Sequence, residues 1–281
     1  MMKLSTFLSI YKTTTKSITI LFSIMKILSR NVNGIRAVVK KWFIETIDNL
    51  KPDIICLQET KAFLEQCPSE VLDLGYDICR HAGTRPGYAG TAIFTKHINR
   101  VACNTFDHDM FHEDGRVTEI QFGNTILING YFPNGWDRAD GREMLSYKLA
   151  FYDKLMEHIK PYQEAKKNII IVGDYNICHT EIDIARPKEN ANSIGFLPIE
   201  RAKISEFLSQ GFIDVFRYLY PDARDQYTRR SYRAWAKPNN VGRRIDYACV
   251  SDYCSSSITW FSHYPDINGS DHCPIMLEIN L

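Results

Sequence analysis

The run Asn168-Ile169-Ile170-Ile171-Val172-Gly173-Asp174-Tyr175-Asn176 decides the fold class. Four β-branched residues in unbroken succession read as a strand buried on both faces, and the polar cluster that stops it leaves a carboxylate and an amide at the strand's end. The same pattern recurs upstream. Ile54–Leu57 is fully apolar and ends in Gln58-Glu59-Thr60, and Ile27–Val32 is a short strand ending in Asn33-Gly34. Between them, Ile35–Leu50 has helical spacing through Val38, Val39, Phe43, Ile44, Ile47 and Leu50, until Pro52-Asp53 breaks it. Further strands are predicted at Thr91–Phe94, Val117–Phe122 and Thr125–Tyr131, with Gly123-Asn124 as a hairpin turn. Helices are predicted over 143–160 and Ile199–Gln210, the latter ended by Gly211. The last strands are Arg244–Val250 and Pro274–Ile279, the second entered from Gly269-Ser270-Asp271-His272. No repeat, linker or low-complexity tract interrupts this alternation, so it reads as one layered α/β domain.

Asn31 and Asn33, Glu59, Tyr131 and Asn134, Asp174 and Asn176, Asp246, and Asp271 with His272 all fall within or at the edges of apolar strands. Strand ends of a layered α/β domain converge on one rim, where such sheets place their sites. One Asp at a strand end is more often a turn or cap residue than a ligand; the weight comes from the number of separate segments involved. Glu59, Asp174, Asp246 and Asp271, gathered with Asn31, Asn176 and His272, repel one another unless a cation neutralises them or some keep their protons. Hard oxygen donors without thiolates select Mg²⁺, with Mn²⁺ as the alternative, over Zn²⁺. Amides and an imidazole remain as donors to phosphate oxygens, and the combination suits metal-assisted phosphodiester hydrolysis.

The composition sets bounds. Lys and Arg total 34 against 33 Asp and Glu, a net charge of +1, so the chain does not coat nucleic acid by bulk charge and any DNA site is a local basic patch. The eight cysteines form no C-x-x-C pair and read as buried thiols in a reducing cytosol. The apolar stretch Ile18–Met25 is far short of the roughly 20 residues a membrane span needs. Residues 1–25 are read as an extension ahead of a catalytic domain over 26–281, with Met25 as a natural translation start. The protein is expected to be soluble, cytoplasmic and monomeric, with no membrane partner.

Taken in order, several motifs resemble exonuclease III and the apurinic/apyrimidinic (AP) endonucleases of base-excision repair, within the endonuclease/exonuclease/phosphatase superfamily. They are Asn-Val-Asn-Gly-Ile-Arg-Ala (31–37), Ile-Cys-Leu-Gln-Glu-Thr-Lys (55–61) and Tyr-Phe-Pro-Asn-Gly (131–135). Gly-Asp-Tyr-Asn (173–176), His179, Ile182-Asp183 and Gly-Phe-Leu-Pro-Ile-Glu-Arg (195–201) follow, then Arg-Ile-Asp-Tyr (244–247) and Gly-Ser-Asp-His-Cys-Pro-Ile (269–275). The resemblance implies a four-layer α/β sandwich, two packed mixed β-sheets flanked by helices. It also implies a Mg²⁺-dependent nuclease that cleaves 5′ to abasic sites in duplex DNA and acts on damaged 3′ ends as an exonuclease or 3′-phosphodiesterase. By the same resemblance Glu59 is the main metal ligand, assisted by Asn31 and Asp271, with Asp174, Asn176 and His272 lining the metal site. Asp174 handles the proton of the attacking water or of the leaving oxygen. Asn176, Tyr131 and Asn134 donate to the phosphate, and Asp246 orients His272. A superfamily phosphodiesterase acting on inositol phosphates or lipids would share Glu59 and Asp271-His272, but not Gly-Phe-Leu-Pro-Ile-Glu-Arg. A catalytically weakened DNA-binding relative would lack a ligand, and none is missing.

Seven positions depart from the family pattern. Arg30, Arg229, Arg230 and Arg243 stand where relatives typically carry tryptophan, and Trp42, Trp136 and Trp235 where glycine is usual or accepted. Two readings are open. As genuine changes, Arg229, Arg230 and Arg243 form a basic DNA-contacting wall around the sugar pocket, although Arg30 then interrupts an apolar strand, where a guanidinium without a partner costs several kcal/mol. Alternatively, the gene uses a code in which UGA encodes glycine and CGG or CGA encodes tryptophan. Both kinds of swap then follow from one cause, and the wall is aromatic.

Overall fold

The computed structural model describes residues 24–281 apart from 42, 97–101, 107, 138–142 and 233–234. Its frame is two six-stranded sheets. In the first the order is β11 (Ile258–His263), β12 (Ile275–Asn280), β1 (Ile24–Asn31), β2 (Ile54–Gln58), β4 (Thr91–Thr95), β3 (Asp77–His81). In the second it is β5 (Ala102–Thr105), β6 (Val117–Phe122), β7 (Thr125–Tyr131), β8 (Asn168–Asp174), β10 (Asp246–Ser251), β9 (Phe212–Asp214). Each sheet is mixed: β1 and β2 run parallel, as do β7 and β8, and the other pairs are antiparallel.

The period-2 alternation of the strands splits their apolar residues between two faces. Ile54, Cys56 and Ile93 of the first sheet meet Ile120, Leu127, Ile170, Val172 and Val250 of the second in a dry layer between the sheets. Ile55, Leu57 and Phe94 face outward onto Ile35 and Val38 of α1 (Ile35–Val39), Phe43 and Ile47 of α2 (Phe43–Leu50), and Val71 of α3 (Ser69–Leu72). Ile126, Ile128, Ile169 and Ile171 face outward onto Phe151, Leu155 and Ile159 of α4 (Leu145–Glu164) and Ile204 and Phe207 of α5 (Pro198–Ser209). A short α6 (Val215–Leu219) follows β9. The layers run helix, sheet, sheet, helix, the sandwich expected. No helix among the described residues is long and apolar enough to cross a membrane.

Three expectations change. The helix read as continuous over 35–50 is two, α1 and α2. β1 begins at Ile24, so Ile24 and Met25 of the segment read as an extension pair with Asn280 and Ile279; residues 1–23 lie outside the described residues. Cys79 and Cys103 form a disulfide rather than two thiols. They belong to β3 and β5, edge strands of the two stacked sheets, and stacking brings their Cα atoms to 5.6 Å. The other six cysteines are free, and all but the half-buried Cys67 are buried.

Candidate active site

The site lies where strand ends of both sheets meet. Asn31 ends β1, and Glu59 follows β2 directly. Tyr131 and Asp174 are register partners at the ends of parallel β7 and β8, and Asp246 pairs with Asp174 at the start of antiparallel β10. Asp271 and His272 precede β12. Glycine is required at position 173. Gly173 has φ 144°, and a Cβ there would sit 1.9 Å from the Gly130 carbonyl oxygen on the neighbouring strand, so β8 could not hold Asp174 at this height with any larger residue. Glu59 (φ 51°) and Asn176 (φ 54°) leave their strands in the left-handed region, strain of order 1 kcal/mol each of the kind functional turns carry.

A cavity of about 180 Å³ collects Glu59, Tyr131, Asn134, Asp174, Asn176, Arg229, Arg243, Asp271 and His272, with Asn33 and Trp136. Glu59 and Asp271, from opposite ends of the chain, therefore face one space. Asn31 and Asp246 stand directly behind it. Asn31 Nδ2 donates to Glu59 Oε1 (2.8 Å) and to Asp174 Oδ2 (2.9 Å), while its Oδ1 accepts from the Asn33 amide (3.0 Å). Asn31 thus presents nitrogen, not oxygen, to the carboxylates and ties two of them together. His272 Nδ1 lies 2.9 and 3.1 Å from the Asp246 carboxylate oxygens, and its Nε2 faces Asp174 Oδ2 at 3.8 Å. Asn176 binds Asp174 Oδ1 through its backbone amide (3.0 Å) and the Phe132 carbonyl through Nδ2 (2.9 Å).

The electrostatics follow from burial. Burial pulls the His272 pKa down, but the Asp246 and Asp174 carboxylates outweigh it and hold it up at about 9. Burial raises Asp174 to about 7, the cationic His272 opposing and Asp246 adding to the shift. At Glu59, burial is overcome by Lys61 and Asn31 and the carboxyl lies below its ordinary value. At Asp271 it is overcome by His272 and Arg229, with the same result. Tyr131 is pushed well up by burial and by Glu59.

Arg30 is fully buried, but it is not without partners. Its Nε donates to the His272 carbonyl (3.0 Å), and Nη2 to those of Asn268 (3.1 Å) and Ile267 (3.4 Å), so it braces the loop that carries Asp271 and His272. Its pKa still falls to about 9 through burial. Arg229 Nε meets Asp271 Oδ2 at 3.1 Å, and Arg243 Nη1 donates to the Ile194 carbonyl at 2.7 Å. Arg230 is not brought to this cavity. It turns to Asn240 Oδ1 and the Tyr227 carbonyl and lines a neighbouring space of about 580 Å³. Trp136 and Trp235 are 59% and 78% exposed, and Trp235 has φ 52°, a conformation that disfavours an indole-bearing residue and suits glycine. Trp42 lies outside the described residues.

Three contributors were not anticipated, Lys61, Ser270 and Arg116, and Asn33, placed at the rim from the sequence, bonds to the first of them. Lys61 Nζ reaches Glu59 Oε2 and Asn33 Oδ1, both at 2.6 Å, and Asn33 Nδ2 donates to Asp271 Oδ1 at 3.2 Å. Ser270 Oγ donates to the Asn31 carbonyl (2.8 Å). The buried Arg116 lies over the Tyr131 ring, 4.9 Å from its centroid. Lys61 and Asn33 sit in motifs already singled out, and a basic residue two positions from a buried acid was the available signal. Nothing near Arg116 in sequence pointed to Tyr131.

Whether these residues suit a divalent ion is answered by the donor set. Three carboxylates, from Glu59, Asp174 and Asp271, face one cavity, and Asp174 and Asp246 bring a carboxylate oxygen each within 4.8 Å of one another beside the imidazolium of His272. Concentrated buried oxygen donors without thiolate fit a hard cation.

The pattern of the Endonuclease/Exonuclease/phosphatase family, a class of double-sheet sandwiches, matches residues 29–272. The chain is 38% identical over 258 residues to an exodeoxyribonuclease of Bacillus subtilis, covering 92% of this chain and all of that one. It is 34% identical over 258 residues to a DNA-(apurinic or apyrimidinic site) endonuclease of Dictyostelium discoideum, covering 92% and 71%. An AP endonuclease structure from Archaeoglobus fulgidus superposes with a TM-score of 0.81 at 25% identity, covering 92% of this chain and all of that one. The chain belongs to the Endonuclease/Exonuclease/phosphatase family, in the branch of exonuclease III and the AP endonucleases, and is a phosphodiester hydrolase.

Proposed function

We propose that this chain is a DNA repair nuclease that hydrolyses the phosphodiester 5′ to an abasic site in duplex DNA, with exonuclease or 3′-phosphodiesterase action at damaged 3′ ends from the same centre. The observation that carries it is the single cavity shared by Glu59, Asp174, Asp271 and His272. At about 180 Å³ it is small beside ligand pockets of roughly 300–1,000 Å³, and it suits a base-less sugar-phosphate better than a whole nucleotide. The names of the relatives point the same way.

Glu59 and Asp271, with Asp174 beside them, would hold the ion, Mg²⁺ or Mn²⁺; when bound it supplies charge neutralisation at the phosphate and polarises the scissile bond. His272, kept cationic by Asp246, presents Nε2–H to a phosphoryl oxygen. Asp174, whose burial brings its pKa to about 7, takes a proton from the attacking water or returns one to the leaving oxygen. Asn176 and Asn134 line the cavity and orient the phosphate, with Tyr131 as a further hydroxyl donor held in place by Arg116. Asn31 acts from behind, fixing the separation of Glu59 and Asp174.

The assay that tests this offers purified protein a duplex with one tetrahydrofuran abasic analogue, an intact duplex and an inositol phosphate, each with Mg²⁺ or with EDTA. Scission confined to the 5′ side of the analogue, present with Mg²⁺ and abolished by EDTA, is expected. Phosphate release from the inositol substrate alone overturns the reading.

We also propose that the cellular chain carries tryptophan at 30, 229, 230 and 243 and glycine at 42, 136 and 235. An exposed residue at positive φ at 235 and a fully buried, pKa-depressed guanidinium at 30 both support this. Trypsin digestion of protein from its native source is expected to yield the intact peptide Asp225–Arg233, with tryptophan at 229 and 230. Cleavage after 229 and 230, or AGA and AGG codons there, ends the idea.

A further inference from the structure

Lys148 and Glu200 are both completely buried, and neither touches the catalytic cavity. Lys148 Nζ lies 2.5 Å from Glu200 Oε1 and also donates to the backbone carbonyls of Asn176 (2.8 Å) and Asn134 (3.2 Å). These three acceptors use all the hydrogens of an ammonium group. Glu200 Oε2 in turn accepts from the backbone amides of Gly195 (2.6 Å) and Leu197 (3.0 Å). Gly135 sits directly on the pair; a Cβ there would lie 3.1 Å from Lys148 Cδ. The pair therefore grips, by main chain alone, the three loops that bring Asn134, Asn176, and Ile194 with Gly195 to the cavity.

Two desolvated charges are costly to keep where apolar residues of similar volume would pack as well, and the better-attested use of such pairs is to specify one geometry. We propose that Lys148 and Glu200 are a positioning unit for phosphodiester hydrolysis: they set where the Asn134 and Asn176 side chains meet the scissile phosphate. This rests on the nuclease reading above. The pair links α4 to the start of α5, so it ties the register of the helical layer to the loops that carry Asn134 and Asn176.

The test is a double-mutant cycle on abasic-duplex cleavage with Mg²⁺. The variant Lys148→Met/Glu200→Leu removes both charges together and so avoids leaving one buried ion alone. A loss of roughly 10- to 100-fold in kcat is expected, the scale of a misplacement near 1 Å, with KM for DNA changed less than threefold. In an Asn134→Ala/Asn176→Ala background the same double substitution is expected to cost less than threefold, because both groups it positions are already absent. Equal losses in both backgrounds, or no loss in either, overturn the proposal and leave the pair a structural bridge. If the double variant does not fold, Glu200→Gln, which keeps the acceptor for Lys148 and weakens the grip on Gly195 and Leu197, is put through the same cycle and judged by the same criterion. Absence of cleavage by the unmodified chain overturns the nuclease reading instead, so the two failures are distinguishable.

Discussion

Glu59→Ala is expected to lower kcat for abasic-duplex cleavage by roughly three orders of magnitude, the scale of removing a principal electrostatic contributor from a desolvated centre. Glu59, like Asp271, is a carboxylate whose surroundings hold it ionised. Lys61 and Asn31 bond its two oxygens, and its pKa lies below the ordinary carboxyl value despite burial. It is also one of three carboxylates facing the cavity and sits at φ 51°. Alanine removes like-charge repulsion with Asp174 and frees Lys61 to bond Asn33 alone. The repulsion relieved is offset by the lost contacts with Lys61 and Asn31, and alanine at φ 51° relieves no backbone strain, so thermal stability is expected to change little while activity collapses. Binding of abasic duplex in EDTA is expected to survive. Unchanged turnover would remove Glu59 from the metal site, and a collapse in melting temperature would make the loss structural.

The second large effect is on pH dependence. His272 carries a folded-state pKa of about 9, above its ordinary 6.5, because Asp246 and Asp174 outweigh burial. A group raised on folding contributes stability that is fully present below about 6.5 and lost as pH rises through about 9. Activity that needs the imidazolium falls over the same upper limb. Asp246→Asn keeps a hydrogen-bond acceptor for Nδ1 but deletes the carboxylate with the larger influence on His272, so burial regains weight and the pKa drops. The alkaline limb of kcat/KM is expected to move from near 9 toward 6.5, with turnover at pH 8 down by roughly tenfold or more. At pH 6 the variant is expected to approach the parent. A limb that stays put refutes the pairing as the source of the charge.

Among the described residues the eight interior strands are all legible in the sequence, and the four that are not, β3, β5, β9 and β11, are the four sheet edges. An interior strand is covered on both faces and tends toward a nearly unbroken apolar run, as Ile54–Gln58 and Thr125–Tyr131 are. An edge strand is defined by its neighbour's unpaired backbone. Ala102–Thr105 and Asp77–His81 carry polar or exposed residues that look like loop until a partner is supplied. The Cys79–Cys103 disulfide was hidden for the same reason, since it joins two such edges.

The site divides along a similar line. Its acids, amides and histidine were readable as polar residues at the ends of apolar strands, because a strand buried on both sides can change to polar only where it reaches solvent or a cavity. Their pairings were not readable, since they span separations of up to 242 residues, as between Arg30 and the His272 carbonyl, and depend on the stacking of two sheets. The primary chain alone thus established the layered architecture and the chemical kind of the rim. Folding in three dimensions settled which way Arg230 turns, how Arg30 is satisfied by three carbonyls, and that Lys148 stands beneath the catalytic loops. Burial pattern is local and is written residue by residue, whereas the partner of a buried polar group is chosen by whatever distant segment the packing brings within 3 Å.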